Sequence, residues 1–343
     1  MPETYRPDVR HTRLGPEFYD PVTAADFPRL QLRFRNNRAA AEIGLDALDD
    51  DQWLRHFGRF EPLPDNLPQP LALRYHGHQF RVYNPDIGDG RGFLFAQMRD
   101  RDGRLMDLGT KGSGTTPWSR SGDGRLTLKG GVREVLATEM LEALGVNTSR
   151  SLSLIESGES LMRGDEPSPT RSSVLVRLNH SHVRIGTFQR LLYLDDHAGL
   201  QRLLDYSIAE YWPEAKGPAD FLGRVVGAVA NLGAQWLAAG FVHGVLNTDN
   251  ITITGESFDY GPWRFLPELD PGFTAAYFDH QGLYAFGRQP DALYWNLARL
   301  GECLIPLSDV EALQPVVETF PAHCDAALSE ATRGRLGLEP DRS

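Results

Sequence analysis

The stretch His243–Gly261 reads HGVLNTDNITITGESFDYG, and it decides how the rest of the chain is interpreted. It is bounded by glycines and holds more polar side chains than a purely structural loop requires. Asn250 follows His243 by seven positions, and Asp249 stands directly before Asn250. A second carboxylate, Asp259, follows nine positions after Asn250. This concentration of polar groups predicts a loop that carries chemistry.

The spacing is typical of a protein-kinase catalytic loop. That loop reads H-R-D-L-x-x-x-N, and a D-F-G triplet whose Asp binds magnesium follows it. His243, Asn250 and the triplet Asp259-Tyr260-Gly261 occur in this order. Val245 stands where the catalytic Asp belongs, and an apolar side chain cannot accept a hydroxyl proton. Asp249 is the nearest carboxylate that can replace it; the alternative is that Asp249 and Asn250 simply cap a turn.

Upstream, the sequence predicts the elements that hold a kinase's phosphate-binding lysine. Segments 93–98 and 105–109 flank the turn DRDG and predict a β-hairpin, with Lys111 at the end of its second strand. Apolar residues recur at helical spacing over 132–144, which places Glu134 in the first turn of a helix. Kinases pair a strand Lys with a helix Glu to hold nucleotide phosphates. The alternative interpretation is two solvated charges.

The remaining elements predict an α+β layout. Short apolar runs at 152–155, 174–178 and 251–254 are typical of strands. A second helix is predicted after Asp220, taken as its N-cap, and ends before Gly240. Its Trp236, together with Tyr294 and Trp295 further along the chain, is expected in the core.

We therefore expect a protein-kinase-like two-lobed fold with a hinge near 177–200. Residues 1–70 form an N-terminal extension that packs on the lobes. Residues 71–180 form an N-lobe with an antiparallel sheet and one helix. Residues 181–343 form a mainly helical C-lobe that contains the catalytic loop.

Composition limits the classes of partner. The 343 residues carry 35 Lys plus Arg against 46 Asp plus Glu, a net charge of −11, and no basic run suited to nucleic acid. The most apolar stretch, Phe221–Val242, contains an Arg, an Asn and a Gln, so no membrane span is expected. The start, MPETYRPDVRHTRLG, has no apolar run typical of a secretory signal, so a cytoplasmic location is expected.

Several other polar residues are candidates for ligand binding. Glycines in GDGRG and SGDGR, near positions 88–92 and 121–125, let backbone N–H groups approach phosphates. Arg177 and Arg184 in LVRLNHSHVRIG carry fork-shaped guanidinium groups that suit phosphate, although exposed ion-paired arginines are the commoner case.

Metal-binding motifs are sparse. His76 and His78 in YHGHQF lack a partner motif, so hydrogen-bonded structural roles are favoured over metal binding. Cys303 and Cys324 are interpreted as two buried thiols.

The ordered motifs of the region from about Tyr75 to about Leu300 resemble the selenoprotein O family, pseudokinases that act as protein adenylyltransferases. The shared strings are HGHQF, IGDGRG, LGTKGSGTTPWSRSGDGR, GGVREVLATEML, LVRLNHSHVRIGTF, HGVLNTDN, DYGP and LDPGF. The resemblance implies a kinase-like fold that binds ATP in a flipped orientation. A protein hydroxyl then attacks the α-phosphate, and AMP is transferred with loss of pyrophosphate.

The resemblance also implies a set of nucleotide-binding residues. Lys111 and Arg177 would hold the phosphates, Glu134 would orient Lys111, and Arg184 would add a second cationic clamp. The further positions that match nucleotide contacts are Gly88, Gly90, Arg91, Asp123 and Gly124.

The same resemblance implies the chemistry. Asn250 and Asp259 would bind Mg²⁺ or Mn²⁺, and Asp249 would accept the proton. The expected substrates are ATP and protein Ser, Thr or Tyr hydroxyls, with the chain itself as one candidate; transfer of UMP from UTP is a variant.

The sequence departs from the family pattern in places. Arg81 replaces a usual Gly, and TAAYFDHQ lacks the cysteine that many members carry, so no redox switch is expected. The family's C-terminal extension lies beyond Ser343, so we expect a C-lobe shorter than the family's.

Two other classes stay open. The first is a catalytically silent nucleotide-binding scaffold, which Val245 favours and the Asn250–Asp259 pair disfavours. The second is a small-molecule kinase of the aminoglycoside type, which would require an Asp in place of Val245.

Overall fold

The computed structural model describes residues 4–338, in which most strands precede most helices. The strands are β1 (Arg6–Pro7), β2 (Tyr19–Pro21), β3 (Gln31–Arg35), β4 (Leu71–Leu73), β5 (Gly77–Gln79), β6 (Val82–Asn84), β7 (Leu94–Arg99), β8 (Leu105–Lys111), β9 (Leu126–Thr127), β10 (Arg150–Leu161), β11 (Thr170–Asn179), β12 (Phe241–Val242) and β13 (Arg264–Phe265). The α-helices are α1 (Asn37–Glu42), α2 (Asp50–Gly58), α3 (Leu128–Ala143), α4 (Ile185–Tyr193), α5 (His197–Tyr211), α6 (Pro218–Ala238), α7 (Gln289–Leu304), α8 (Val310–Glu318) and α9 (Phe320–Arg335).

The described chain divides into two compact units. The first comprises the chain up to Tyr75, Asp86–Glu139 and Ser149–His182. The second comprises His76–Pro85, Met140–Thr148 and the chain from Val183 onwards. Most strands belong to the first unit and most helices to the second. The predicted α+β class, with an antiparallel sheet before a mainly helical part, is confirmed.

An antiparallel sheet of nine strands builds the first unit. Its order is β2-β4-β7-β8-β11-β10-β3, while β1 pairs with β7 and β9 with β11. β7 and β8 form the predicted hairpin, with Met98 opposite Met106. The predicted strands 152–155 and 174–178 lie inside β10 and β11, with Leu154 opposite Leu175. Because β11 also pairs with β8, residues near position 177 come to lie beside the strand that ends at Lys111.

Helix α2 packs its aromatic side chains against one side of this sheet. The helix begins with a capping box, in which the Asp49 side chain accepts the Gln52 N–H and the Gln52 side chain accepts the Asp49 N–H. The buried Trp53 indole donates to Ser153 Oγ at 2.8 Å, which satisfies its one polar atom. The Trp53 and Phe57 ring centroids lie 4.7 Å apart in an edge-to-face arrangement. Helix α2 is thereby fixed against β10.

The predicted helix around Glu134 is present but begins earlier than its apolar pattern indicates. Helix α3 starts at Leu128, and Thr127 Oγ1 caps it by accepting the Gly130 N–H at 3.0 Å. Glu134 therefore lies in the second turn and not the first, because the two glycines in the first turn have no apolar side chain to extend the pattern. The apolar positions Val132, Leu136 and Met140 are exposed.

Helix α6 is the central helix of the second unit and packs against α7, α8 and α9. The predicted N-cap at Asp220 is wrong, because Pro218 occupies the first helical position after Gly217. The Asp220 carboxylate instead accepts the Lys216 N–H at 3.2 Å. The predicted end is confirmed, since Gly240 follows the last turn with a left-handed backbone.

Three further predictions for the second unit are wrong. Segment 251–254 is not a strand; Thr252 forms only an isolated bridge with Arg184. Tyr294 is exposed and Trp295 half-buried, because the buried face of α7 is formed by other side chains, such as Leu293. Trp236 is in the core as predicted. No helix within residues 4–338 has both the length and the hydropathy of a membrane span.

Candidate active site

An ion pair between Lys111 and Glu134 is the centre of the candidate phosphate site in the first unit. Lys111 is the last residue of β8, and its Nζ contacts Glu134 Oε1 on α3. Both residues are buried, so they are not two solvated charges. A buried charge without a partner strongly destabilises a protein, so each of these two residues compensates the buried charge of the other.

Arg177 adds a second cation on the same face of the sheet. Leu175 lies opposite Lys111, and Arg177 lies opposite Gly109. Opposed residues of antiparallel strands share a face, and alternate residues along a strand do so too, so Lys111 and Arg177 are diagonal neighbours. Both are buried. Two cations on one face suit an anionic group such as a phosphate chain.

The glycine loop 88–92 is packed tightly beside this pair. A Cβ at Gly88 would lie 2.6 Å from the Trp118 ring, and one at Gly90 would lie 2.9 Å from the Trp118 carbonyl oxygen. The Arg91 carbonyl accepts the Gly112 N–H at 2.6 Å, which ties the loop to the residue after Lys111. The Arg91 side chain is exposed.

The second glycine loop is held by ionic and backbone contacts. The Asp123 carboxylate accepts hydrogen bonds from both terminal nitrogens of Arg163, at 2.8 and 3.0 Å. It also accepts one from the backbone N–H of Arg125. Burial raises the pKa of Asp123, but these donors outweigh it and hold that pKa below its ordinary value. Gly124 has φ +68°, and its carbonyl accepts the Gly114 N–H at 3.2 Å. The loop is therefore fastened to the segment that follows Lys111.

In the second unit, the candidate catalytic loop ends in a single 3₁₀ turn over Thr248–Asn250. The Asn250 N–H donates to the Asn247 carbonyl at 3.0 Å. The Asn250 side-chain Nδ2 donates to the Val245 carbonyl at 3.0 Å. This bond fixes the amide orientation, and the Asn250 Oδ1 remains the side-chain atom able to bind a cation.

His243 supports the backbone that carries Asp259. Its Nε2–H donates to the Phe258 carbonyl at 2.8 Å, and its backbone N–H donates to Gln289 Oε1 at 3.0 Å. Asp259 has φ +61°, a left-handed conformation that is uncommon outside glycine. The histidine of the motif is thus connected to the DYG triplet through the main chain.

Arg184 contacts the carboxylate of Asp259 and the main chain of Asp249. Its NH1 is 3.4 Å from Asp259 Oδ2 and 3.3 Å from the Asp249 carbonyl oxygen. Its guanidinium carbon lies 4.7 Å from the centroid of the Phe258 ring. Arg184 is almost completely buried, so its charge acts at short range in a poorly hydrated place.

Asp249 has the electrostatics of a proton acceptor. Burial raises the pKa of Asp249 to about 6, the Arg184 charge lowers it, and the Asp259 carboxylate raises it. A general base works best with a pKa near the operating pH. The pKa of Asp249 therefore fits proton transfer better than that of an ordinary exposed aspartate.

The two histidines of YHGHQF have hydrogen-bonded roles, as predicted. His76 Nδ1 bonds the Tyr83 hydroxyl at 2.9 Å, and His78 Nδ1 bonds Gln189 Nε2 at 2.7 Å. Gln189 and Thr248 lie next to the candidate site, and sequence reasoning did not single them out. The sequence signalled these two residues only weakly: Gln189 is a polar residue within the apolar pattern of α4, and Thr248 directly precedes Asp249.

The residues in place fit a divalent cation. Asn250 and Asp259 offer oxygen donors, the hard ligands that Mg²⁺ prefers, and Mg²⁺ is commonly held by one or two carboxylates together with substrate phosphates. Within residues 4–338 no cluster of three or more His, Cys, Asp or Glu could bind a metal by itself. Cys303 and Cys324 are buried free thiols, as predicted.

Sequence comparisons agree on one family. The family model described as "Protein adenylyltransferase SelO" matches residues 3–343. The protein nucleotidyltransferase YdiU of Synechococcus elongatus is 53% identical over 338 residues, covering 96% of this chain and 67% of that protein. The proteins of that name from a Synechocystis species and from Vibrio cholerae are 54% and 40% identical, covering 92% and 96% of this chain and 67% of each relative.

These matches define a nucleotidyltransferase, and the chain belongs to the SelO family. The resemblance found in the sequence motifs is confirmed. Among solved structures, the chain is similar to ROP2 from Toxoplasma gondii, described as a virulence factor with a protein-kinase fold and no enzymatic activity. That likeness has 13% identity and a TM-score of 0.35, over 78% of this chain and 82% of that chain.

Proposed function

We propose that this nucleotidyltransferase moves AMP from ATP to Ser, Thr or Tyr hydroxyls of protein substrates. The observation that carries the proposal is geometric: the Asp249 carboxylate is buried, and Arg184 binds both the Asp249 main-chain carbonyl and the Asp259 carboxylate. The raised pKa of Asp249 agrees with a role as proton acceptor. Asp249 also has the expected place in the sequence. It stands directly before Asn250, in a loop where Val245 occupies the position of the kinase base. The family membership supports nucleotidyl transfer to proteins.

In this proposal the first unit binds the triphosphate. Lys111, oriented by Glu134, and Arg177 neutralise phosphate charge from one face of the sheet. The glycine loops offer backbone N–H groups, with the positions Gly88, Gly90, Arg91, Asp123 and Gly124. Such contacts act by positioning and by electrostatic stabilisation of the transferred group.

The second unit supplies the chemistry in this proposal. Asp249 accepts the proton of the incoming hydroxyl, and the hydroxyl oxygen forms a bond to the α-phosphorus. The bond from the α-phosphorus to the oxygen that bridges the α- and β-phosphates breaks, and pyrophosphate leaves. A proton acceptor of this kind contributes about 10²- to 10⁴-fold in rate.

Asn250 and Asp259 would hold Mg²⁺ or Mn²⁺, whose charge stabilises the phosphates as pyrophosphate leaves. His243 keeps the Asp259 backbone in place through Phe258. Arg184 contacts Asp259, so in this proposal it holds that carboxylate as well as adding positive charge near the phosphates.

The test compares ATP labelled on the α- or the γ-phosphate and UTP labelled on the α-phosphate, each in Mg²⁺ and in Mn²⁺. The acceptors are a mixture of Ser-, Thr- and Tyr-containing peptides and the protein itself. Asp249→Asn and Asp259→Ala are the test variants. Asp325→Asn is the matched control, because Asp325 is an exposed carboxylate on α9.

Covalent label from α-labelled ATP alone, lost in both test variants and kept in the control, is the expected result. Label from the γ-phosphate would assign a kinase instead. Label only from UTP would replace AMP with UMP. Nucleotide binding without any transfer would favour the silent scaffold, the class that Val245 suggests.

A further inference from the structure

The hairpin formed by β5 and β6 contacts the catalytic loop directly. It carries the string HGHQF, and it belongs to the second unit together with that loop. The His78 N–H donates to Thr248 Oγ1 at 2.7 Å, and the Phe80 N–H donates to Asn247 Oδ1 at 3.0 Å. The two acceptors occupy the two positions directly before Asp249. The hairpin therefore binds the segment that leads into the candidate base.

Gln189 on α4 closes these contacts into a ring. Thr248 Oγ1 donates to Gln189 Oε1 at 2.5 Å, and Gln189 Nε2 donates to His78 Nδ1 at 2.7 Å. The Thr248 hydroxyl is thus a donor and an acceptor at once. The ring also fixes the orientation of the Gln189 amide and leaves the His78 proton on Nε2. Thr248 and Gln189 are both buried.

Close backbone packing keeps the same groups together. A Cβ at Gly77 would lie 3.0 Å from Asp249 Oδ1 and 3.1 Å from Thr248 Oγ1. A Cβ at Gly186 would lie 2.2 Å from the His76 carbonyl oxygen. The His76 N–H in turn donates to the Gly186 carbonyl at 3.1 Å. Only glycine lets the hairpin, the loop and the start of α4 come this close.

We propose that Thr248 is a positioning residue, which, through its ring with His78 and Gln189, fixes the Asp249 carboxylate for the incoming hydroxyl. The inference rests on the proposed function, in which Asp249 is the proton acceptor. Within the loop itself, the 3₁₀ turn has one backbone hydrogen bond of its own, from Asn250 to Asn247. Other bonds hold the loop at Asn247, at the Asp249 carbonyl and at the Asn250 side chain. The ring adds the attachment that is made by the side chain of Thr248, the residue directly before Asp249.

The magnitude of the effect follows from the geometry that proton transfer needs. A catalytic group must be held within about 0.5 Å of its productive position, and a misplacement of about 1 Å can lower a rate by about 10²-fold. Loss of the ring frees the loop at the residue next to Asp249 while it leaves Asn250 and Asp259 in place. Turnover should therefore fall while nucleotide and metal binding persist.

The experiment uses a matched pair, Thr248→Val and Thr248→Ser. Valine keeps the size of the side chain and removes the hydroxyl; serine keeps the hydroxyl. Transfer from α-labelled ATP to the peptide mixture gives kcat and KM, and Mg²⁺ and nucleotide titrations give affinities. We expect Thr248→Val to lower kcat about 10- to 100-fold with KM for ATP changed less than about 3-fold. Thr248→Ser should recover at least about a third of kcat.

A second variant keeps the test decisive if Thr248→Val folds poorly. Gln189→Met removes the other member of the ring at similar length, and it should lower kcat in the same way. Where the double variant folds, its loss should be close to that of either single variant, because the three groups act as a unit.

This inference alone would be overturned if the wild-type protein transfers AMP and Thr248→Val leaves kcat unaffected. If the valine variant is unfolded, an unaffected kcat in Gln189→Met has the same meaning. An equal loss of kcat and of nucleotide affinity would overturn it as well. Failure of the wild-type protein to transfer from the α-phosphate would overturn the proposed function and this inference with it.

Discussion

His243 Nε2 and the Phe258 carbonyl oxygen lie 2.8 Å apart, so the histidine of the catalytic loop holds the backbone on which Asp259 stands. The imidazole is completely buried, and its ring lies 5.3 Å from the Trp236 centroid. The histidine is therefore connected to Asp259 through the main chain that leads into the DYG triplet.

With Asp259 in its proposed role as an Mg²⁺ ligand, replacement of His243 by Leu should weaken the apparent affinity for Mg²⁺ about 10- to 100-fold, the usual effect of losing an outer-shell partner of a ligand. The change leaves the Phe258 carbonyl without this donor and loosens the strained Asp259 backbone. Transfer activity measured against Mg²⁺ concentration reports the effect. His323→Leu, at an exposed histidine of α9, is the control. An unchanged Mg²⁺ dependence in His243→Leu would contradict this role.

Replacement of Lys111 by Met should abolish measurable ATP binding and destabilise the protein by about 3–5 kcal/mol, because Glu134 is left as a buried unpaired carboxylate. Urea unfolding and ATP titration measure the two effects. The double variant Lys111→Met with Glu134→Met should recover most of the stability but none of the binding.

The control for that change is Lys216→Met, at an exposed lysine that precedes α6. A surface substitution of this kind is expected to change the free energy of unfolding by no more than about 0.5 kcal/mol. Equal effects of the two lysine substitutions would show that the buried pair has no special role.

Replacement of Gly124 by Ala should destabilise the first unit more than replacement of Gly103. Both glycines have left-handed backbones, with φ of +68° and +83°. A Cβ at Gly124 would lie 2.2 Å from the Gly114 carbonyl carbon, whereas at Gly103 nothing lies within 4 Å. We expect about 1 kcal/mol at Gly103 and clearly more at Gly124, where ATP affinity should fall too. Thermal unfolding of both variants measures the difference.

Stability should fall as the pH drops from about 6.5 towards 4 because of His11. Burial lowers the pKa of His11 from 6.5 to about 4; the Asp107 carboxylate raises it, and His182 lowers it. The neutral ring is therefore favoured in the folded state. Below pH 6.5 the unfolded chain binds a proton that the folded chain does not, and the stabilisation lost by pH 4 is up to about 3 kcal/mol.

Urea unfolding at pH 7.5, 5.5 and 4.5 checks the His11 prediction, with His11→Asn as the comparison. The variant should lose less stability than the wild type across this window. Asp107, whose pKa is lowered below 3.8 through contacts with His182 and Gln97 that outweigh burial, contributes its own loss only at lower pH. Parallel curves for the two proteins would contradict the assignment to His11.

Local patterns predicted much of the fold and most of the elements that carry the candidate site residues. The hairpin before Lys111, the helix of Glu134 and the catalytic loop depend on short-range spacing, which the sequence displays directly. The errors at Asp220 and at the start of α3 arose because a proline and a capping threonine outweigh the apolar pattern at helix ends. Boundaries set by single hydrogen bonds leave little trace in hydrophobic periodicity.

The contacts around Asp249 could not be predicted in the same way. His78 and Thr248 are 170 residues apart, and Gln189 joins them from a third element. No spacing rule connects such positions, because chain topology alone brings them together. The sequence also could not predict that His243 supports Asp259, because the contact is a hydrogen bond to the backbone carbonyl of Phe258 and involves no side chain of the motif other than the histidine.

The distance along the chain between the hairpin and the catalytic loop also affects the order of folding events. A contact that closes 170 residues carries a large loop entropy and forms late compared with local helices and hairpins. During refolding, helicity and the burial of tryptophan should therefore return before enzymatic turnover. A chain released early from the ribosome, before Thr248 is made, would contain the hairpin but have no loop for it to hold.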